Sequence, residues 1–377
     1  MRIVVATDSF KGTLTSRQAG DAIAAGIHRV HPDDQVIVVP VADGGDGTAD
    51  ALLAALGGRS ITSTVPGPLM TPVNAAFAIL PDANRAVIEM AAASGLTLLA
   101  PKNYGPLRTT TYGTGRLITA ALSEGCRSIM VGVGGSATVD GGCGAAQALG
   151  VRFLTADGHP LPDGLGGGQL DRIERVDLTN RDPRIDECEI QVLCDVNNPL
   201  CGSNGAARVF GPQKGAGQPD VDVLDRNLAH LADVIRRDLD IDVADVPGAG
   251  AAGGLAAGLM AFLDARLVPG VDVILDLVGL IDRLPGADLV VTGEGRLDAQ
   301  SMMGKVVSGV AARAARLRIP TIAIAGCLGH DADQCLDILE AVYPVTESPP
   351  DKLPSTAEAT RALTDRTAKV FAQRPHP

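Results

Sequence analysis

The sequence predicts an α/β fold, because short apolar strands repeatedly run into glycine-rich or polar loops that are followed by helices. Three clear cases are Arg2 to Ala6, Ile129 to Val133 and Ala287 to Thr292. A chain of 377 residues with 46% hydrophobic and 20% charged residues is globular and long enough for two to three domains. We therefore expect parallel sheets whose strand ends carry the chemistry.

Composition excludes several classes of function. Aromatic residues make up 2% of the chain and the net charge is −12, so neither a stacking platform nor a basic stripe for nucleic acid is expected. No apolar run approaches the ~18 residues of a membrane span. The seven cysteines form no CxxC pair, which is typical of reduced thiols. We expect a cytoplasmic protein with no membrane or nucleic-acid partner, either a monomer or a homodimer.

The first two strands end in charged loops. Asp8, Ser9 and Lys11 follow the first strand, where open α/β sheets place ligands, although a turn cap and a solvated lysine would give the same pattern. The second strand, Gln35 to Val41, ends in ADGGDGT ahead of a helix. Its two carboxylates flanking a Gly-Gly pair suit Mg²⁺ and a phosphate or carboxylate better than a plain turn.

A change of pattern follows, and then the most glycine-rich loop of the chain. Residues 60–99 predict an antiparallel meander of three strands, and a helix is expected over 116–124. Ser128 to Leu149 then predicts a strand, a loop and a helix that begins near Gly144. Glycines and a helix start can hold a phosphate, and Asp140 would serve a magnesium ion on it. A tight βα turn without ligand is the alternative.

Further loops of the same kind follow. The strand from Glu189 to Cys194 ends near Asp195 and Asn198, and Lys214 comes next among small residues that leave its charge free to meet a phosphate. Residues 248–253 match GxGxxG, but a proline and not an apolar strand precedes them, so a dinucleotide fingerprint is not indicated. The strand that ends at Thr292 leads into a charged loop before a helix over 306–317.

The absence of two motifs argues against two classes of enzyme. The chain has no GxxxxGK(S/T) sequence and no GxSxG, so neither a P-loop enzyme nor serine acyl transfer is indicated. Carboxylates, lysines and arginines on glycine-rich loops are the equipment of phosphoryl transfer. A dinucleotide oxidoreductase and a non-catalytic sensor of a small acid or nucleotide remain as rivals. Absence of an absorbance change with NADH would exclude the first, and measurable turnover would exclude the second.

Eight motifs in order resemble the bacterial glycerate kinase family: DSFKGTLTS, PVADGGDGT, MAAASGL, GVGGSATVDGG, CDVNNPLCG, FGPQKGA, GAGAAGGL and TGEGRLDAQSMMGK. The resemblance implies Mg²⁺-dependent transfer of the ATP γ-phosphoryl group to D-glycerate, giving 2-phosphoglycerate and ADP. Formation of 3-phosphoglycerate, or phosphorylation of another small hydroxy acid, stays open. It also implies a Rossmann- or flavodoxin-like domain from residues 1–62 plus 286–377, an inserted α/β domain of residues 63–285, and an active site in the cleft between them.

The resemblance also implies roles for residues in these motifs. Asp195 is the first choice and Asp43 the second for the base that accepts the hydroxyl proton. Lys11, Arg296 or an amide at a helix N-terminus would receive the substrate carboxylate. The full expectation is catalytic Asp195, Asp43, Lys11 and Lys214; substrate-binding Asp8, Ser9, Arg296, Asn198 and Asp298; nucleotide- or phosphate-binding Gly134, Gly135, Ser136, Gly141, Gly142, Gly253, Gly293, Glu294 and Lys305; and metal-binding Asp46 and Asp140.

Overall fold

The computed structural model describes residues 1–82, 84–302, 304–349 and 352–374. The chain divides into two compact units. The first unit contains residues 1–43, 50–57 and those from Pro269 on, and the second contains residues 44–49 and 58–268. None of the described helices is both long enough and apolar enough to cross a bilayer.

The described strands are β1 (Arg2–Thr7), β2 (Gln35–Val38), β3 (Arg59–Pro66), β4 (Pro72–Ile79), β5 (Arg85–Glu89), β6 (Ser128–Gly132), β7 (Arg152–Leu154), β8 (Arg175–Asp177), β9 (Glu189–Leu193), β10 (Arg266–Val268), β11 (Leu289–Gly293), β12 (Arg296–Leu297), β13 (Thr321–Leu328) and β14 (Ala341–Thr346). The described α-helices are α1 (Ser16–Val30), α2 (Thr48–Leu56), α3 (Ala91–Ser94), α4 (Tyr112–Ser123), α5 (Cys143–Ala148), α6 (Ala206–Phe210), α7 (Gln218–Leu239), α8 (Ala251–Leu263), α9 (Gly270–Leu277), α10 (Leu280–Arg283), α11 (Val306–Arg316) and α12 (Thr356–Gln373).

The first unit is built on a parallel sheet, which confirms the predicted α/β class. Its strand order is β12-β13-β11-β1-β2, with β14 on the other side of β13. One face packs against α1 and α12 through a core that includes Ile3, Val5, Val291 and Phe371. The opposite face packs against α11 through a smaller cluster around Val307. Because all strands run the same way, their polar carboxyl ends share one edge of the sheet.

The second unit is built on a mixed sheet of order β10-β9-β6-β5-β4-β3. Strands β3, β4 and β5 pair antiparallel, so the meander predicted for residues 60–99 is confirmed. Strands β5, β6, β9 and β10 are parallel. Helix α4 begins at Tyr112, four residues before the predicted start, because the Thr-Thr-Thr stretch ahead of it is held by buried hydrogen bonds and the chain turns into the helix at once.

Candidate active site

Three carboxylates follow neighbouring strands of the first sheet. Asp8 directly follows β1, Glu294 directly follows β11, and Asp43 lies in the loop after β2. The register pairs Thr7 with Gly293, and the N–H of Asp8 continues that ladder by donating to the Gly293 carbonyl at 2.9 Å. Since β1 lies between β11 and β2, the side chain of Asp8 occupies the middle of this edge.

The carboxyl group of Asp8 has a strongly raised pKa. Its side chain is buried, and burial together with the negative charge of Asp43 raises its pKa to about 7. The Ser9 N–H, which donates to Oδ1 at 2.6 Å, and the charge of Lys11 oppose that rise, whereas Glu294 adds to it. A carboxyl group with a pKa near neutrality can take up and release a proton at physiological pH.

Glu294 lies in a similar environment. Burial raises its pKa, and a hydrogen bond from Ser301 and the charge of Lys305 act in the opposite direction. Lys305 itself occupies the N-cap position of α11, where its side chain makes no capping hydrogen bond. Further along the loop, Arg296 and Asp298 form an ion pair with 3.6 Å between Nε and Oδ2, and the arginine side chain is 58% exposed. The structure thus brings the predicted residues of this unit to one sheet edge.

In the second unit, the Gly44–Ala49 segment packs backbone to backbone on the loop after β6. A Cβ atom on Gly134 would lie 2.8 Å from the Gly45 Cα, and one on Gly135 would lie 2.7 Å from Asp46 Oδ1. Gly135 also has φ of +69°, which side-chain-bearing residues avoid. These two glycines are therefore required for close packing, and Asp46 is an exposed carboxylate directly beside them.

Glu89 holds the Gly44–Ala49 segment in place, a role that the sequence did not indicate. It ends β5, and its two carboxylate oxygens accept the N–H groups of Gly47 at 3.1 Å and Ala49 at 2.7 Å. A carboxylate that accepts the free N–H groups at a helix start stabilises that helix through charge and hydrogen bonding. Glu89 therefore fixes the segment that carries Asp46. Its position at the end of a predicted strand was the available signal.

Lys214 is buried, contrary to the expectation that its charge is free to meet a phosphate. Only 1% of it is exposed, and Nζ donates to Ser136 Oγ and to the Thr138 carbonyl, each at 2.7 Å. Burial lowers its pKa to about 7, and the charge of Asp140 acts in the opposite direction. Ser136 is the partly exposed partner of this lysine, so any effect of Lys214 on a ligand would act through the Ser136 hydroxyl.

Asp140 is also fully buried, and its oxygens are already occupied. Thr111 donates to Oδ2 through both its N–H and its hydroxyl at 2.7 Å, and the N–H groups of Gly142 and Gly144 donate to the carboxylate at 3.2 and 3.3 Å. Burial raises its pKa although these hydrogen bonds oppose the rise. The start of α5 is thus closed by a carboxylate of the chain itself, which disfavours the predicted metal-binding role of Asp140.

The backbone groups of neighbouring glycines are likewise hydrogen-bonded within the chain. The N–H of Gly141 donates to the Gly253 carbonyl at 3.1 Å, and the N–H of Gly253 donates to Gly250 at 3.2 Å. A Cβ atom on Gly253 would lie 2.0 Å from the Thr138 carbonyl oxygen. Phosphate binding by Gly141, Gly142 and Gly253 stays a prediction, but their internal hydrogen bonds and contacts favour a packing role.

Asp195 and Asn198 lie in the loop after β9. Asp195 is partly buried, and the Asn198 side chain donates to the Asn204 carbonyl at 2.9 Å. The Asn198 carbonyl accepts the N–H of Gly250 at 3.0 Å, which joins this loop to the start of α8. Within the described part of the chain, no three His, Cys, Asp or Glu side chains form a ready cluster for a metal ion.

Comparisons with known proteins agree along nearly the whole chain. The model of the glycerate kinase family matches residues 3–374. Glycerate 2-kinase of Escherichia coli strain K12 is 49% identical over 331 residues, which cover 88% of this chain and 86% of that protein. Glycerate kinase of Bacillus subtilis strain 168 is 44% identical over 376 residues, which cover 99% and 97% of the two chains.

A solved structure shows the same architecture. The crystal structure of a "putative glycerate kinase 2" from Salmonella typhimurium LT2 superposes with a TM-score of 0.87 at 42% identity, covering 99% of this chain and 97% of that one. The parallel sheet with carboxylates at its strand ends, the relatives and the solved structure all point to one conclusion. The chain belongs to the glycerate kinase family and is an enzyme, a kinase whose acceptor is a hydroxyl group.

Proposed function

We propose that the enzyme transfers the γ-phosphoryl group of ATP to the 2-hydroxyl of D-glycerate, giving 2-phosphoglycerate and ADP. The observation that carries this proposal is the 49% identity to a relative named glycerate 2-kinase, over 88% of the chain. The buried and partly buried carboxylates of the first unit support it, because transfer from ATP to a hydroxyl group needs a proton acceptor beside that hydroxyl.

The first unit also offers groups for the substrate carboxylate. Lys11 and Arg296 are exposed cations next to the carboxylate edge, and both can donate to an anionic group. Asp298 pairs with Arg296 and would hold its guanidinium in place, while Ser9 offers a hydroxyl beside Asp8. We assign the glycerate carboxylate to the two cations, because two charge-assisted contacts fix the orientation of a small acid.

Each unit offers a loop that we assign to phosphate binding, at a helix start in the first unit and at a glycine turn in the second. Lys305 precedes α11, a helix of 11 residues, so that a cation and free N–H groups are available together. In the second unit, Ser136 follows Gly134 and Gly135, and we propose that its hydroxyl contacts a phosphate while Lys214 orients it. Lys214 is then a positioning residue, since its own Nζ is enclosed.

Magnesium fits one of the two predicted ligands. Mg²⁺ on a nucleotide usually keeps several waters and needs only one or two carboxylates beside the phosphates, so a preformed cluster is not required. Asp46 is exposed beside Gly135 and fits this description, whereas the oxygens of Asp140 are already hydrogen-bonded. When bound, Mg²⁺ would neutralise the charge on the phosphate oxygens. The residues of the chain position the two reactants.

An enolase-coupled assay tests the proposal. Enolase converts 2-phosphoglycerate, and not 3-phosphoglycerate, into phosphoenolpyruvate, so the purified protein with D-glycerate, ATP and Mg²⁺ should give phosphoenolpyruvate without any mutase. A signal that depends on added phosphoglycerate mutase would assign the 3-hydroxyl instead. No signal in either mixture, with authentic 2-phosphoglycerate reacting normally, would leave another hydroxy acid as the acceptor. L-Glycerate serves as the matched substrate control, and we expect slower turnover with it.

A further inference from the structure

We propose that Asp8 accepts the proton of the glycerate hydroxyl, and that Asp43 is the neighbouring charge that makes Asp8 a good acceptor. This inference rests on the proposed function and reassigns the base from Asp195. In the step, the hydroxyl O–H bond breaks and its proton moves to the Asp8 carboxylate. The hydroxyl oxygen bonds to the γ-phosphorus, the bond to the bridging oxygen breaks, and ADP leaves with that electron pair.

The sheet register places Asp8 on the face opposite the core that α1 and α12 cover. Ile3 and Val5 face the core formed with α1 and α12, so alternation along β1 puts Ala6 and Asp8 on the opposite face. The backbone bond from Asp8 to the Gly293 carbonyl extends the ladder, and the alternation therefore holds as far as Asp8. Asp8 is 6% exposed, so bulk water has little access to its carboxyl group.

A second observation on the same face points to a bound group. Thr292 pairs with Ala6 in the register, so its side chain lies on the face that carries Asp8. It is fully buried, and its hydroxyl has no hydrogen-bond partner in the described part of the chain. A buried hydroxyl without a partner is rare, since leaving it unpaired destabilises the protein. Oε1 of Glu294, one alternation further along, is likewise buried without a hydrogen-bond partner.

The charges around Asp8 favour a proton acceptor that works near neutrality. Asp43 after β2 and Glu294 after β11 face it with negative charge, and Lys11 in its own loop faces it with positive charge. Beyond Glu294 lie Lys305 and Asp298. Burial and then Asp43 are the main causes that raise the pKa of Asp8 to about 7. A base is most effective when its pKa is close to the working pH.

The pH dependence of kcat/KM in three variants tests the assignment. Wild-type activity should fall on the acid side with a midpoint near the pKa of Asp8, about 7. Asp43→Asn removes a negative neighbour, so the midpoint should move to lower pH. Asp8→Asn should lower kcat by about 10²- to 10⁴-fold with little change in KM for ATP, because it removes the proton acceptor. Asp195→Asn is the matched control for the rival base and should keep the acid limb.

Each contrary result has a definite meaning. If Asp8→Asn keeps both its rate and its acid limb, or if Asp195→Asn loses the acid limb, the assignment to Asp8 is wrong while the kinase reaction stands. If the wild-type protein forms no phosphoglycerate at all, the proposed function itself fails. Should Asp8→Asn not fold, carbon-13 NMR titration of the Asp8 carboxyl in the wild type and in Asp43→Asn decides the matter. An Asp8 pKa near its ordinary value of 3.8 would refute the proposal.

Discussion

The buried lysine of the second unit makes a quantitative prediction about stability. Lys214 is 1% exposed, and burial lowers its pKa from 10.5 to about 7. Below about pH 7 both the folded and the unfolded chain carry the charge, so this group adds no pH dependence there. Above that pH the folded chain releases the proton while the unfolded chain keeps it until near 10.5. The folded state therefore gains stability as the pH rises through this window.

The size of the effect follows from the width of the window. At about 1.4 kcal/mol per pKa unit, raising the pH from about 7 to about 10 should increase the free energy of unfolding by up to about 4 kcal/mol through this group. Lys214→Met removes the titrating group but keeps an unbranched side chain of similar length. The wild-type protein should therefore gain stability over the variant across this range.

Urea unfolding of the two proteins at matched pH values measures this difference. All other titrating groups are shared, so subtraction isolates Lys214. We expect the difference between wild type and Lys214→Met to be constant below about pH 7 and to grow in favour of the wild type above it. Parallel stability curves across the whole range would contradict the lowered pKa of Lys214, because they would mean that the lysine carries its charge in the folded protein up to its ordinary pKa.

Three further predictions concern loops of the second unit. Asp140→Asn replaces a carboxylate that accepts the N–H groups of Thr111, Gly142 and Gly144, and should destabilise the protein by about 3 kcal/mol. The control variant Asp233→Asn, at an exposed position, should change thermal unfolding little. Gly253→Ala places a Cβ atom 2.0 Å from the Thr138 carbonyl oxygen, whereas the Cβ of Gly286→Ala meets nothing within 4 Å at a similar positive φ. In urea unfolding, Gly253→Ala should therefore lower the free energy of unfolding by at least about 2 kcal/mol more than Gly286→Ala does. Equal losses would contradict the packing role of Gly253. Asp46→Asn should raise the Mg²⁺ concentration for half-maximal activity by about tenfold, since one carboxylate ligand is lost; an unchanged magnesium requirement would exclude Asp46 as a ligand.

The sequence predicted the features that depend on local pattern. Apolar strands followed by charged loops indicated the α/β class, and the turn-rich stretch after residue 60 indicated the meander. The same rule pointed to Asp8 and Glu294, because both follow a strand directly. It did not point to Glu89, the last residue of β5, because the contact of Glu89 with the Gly47 and Ala49 N–H groups joins residues some forty positions apart and has no local signature.

Burial of charged groups could not be predicted in this way. Lys214 and Asp140 stand among small residues, which suggested open loops with access to a phosphate or a metal. Their enclosure depends on partners far along the chain, with Ser136 at 78 positions from Lys214 and Thr111 at 29 positions from Asp140. The raised pKa of Asp8 likewise depends on its burial and then on the charges of Asp43 and Glu294, which only the pairing of β2, β1 and β11 brings to the same edge.

The proposed reaction can be tested without coupling enzymes by a phosphorus-31 NMR time course of the purified protein with D-glycerate, ATP and Mg²⁺. It identifies the phosphorylated product without a coupling enzyme and distinguishes the two hydroxyl positions. We expect the resonance of 2-phosphoglycerate to grow as the γ-phosphate resonance of ATP declines. A growing 3-phosphoglycerate resonance would contradict the assignment to the 2-hydroxyl. A spectrum without any phosphoester of glycerate, beside an active control kinase, would contradict the proposed reaction as a whole.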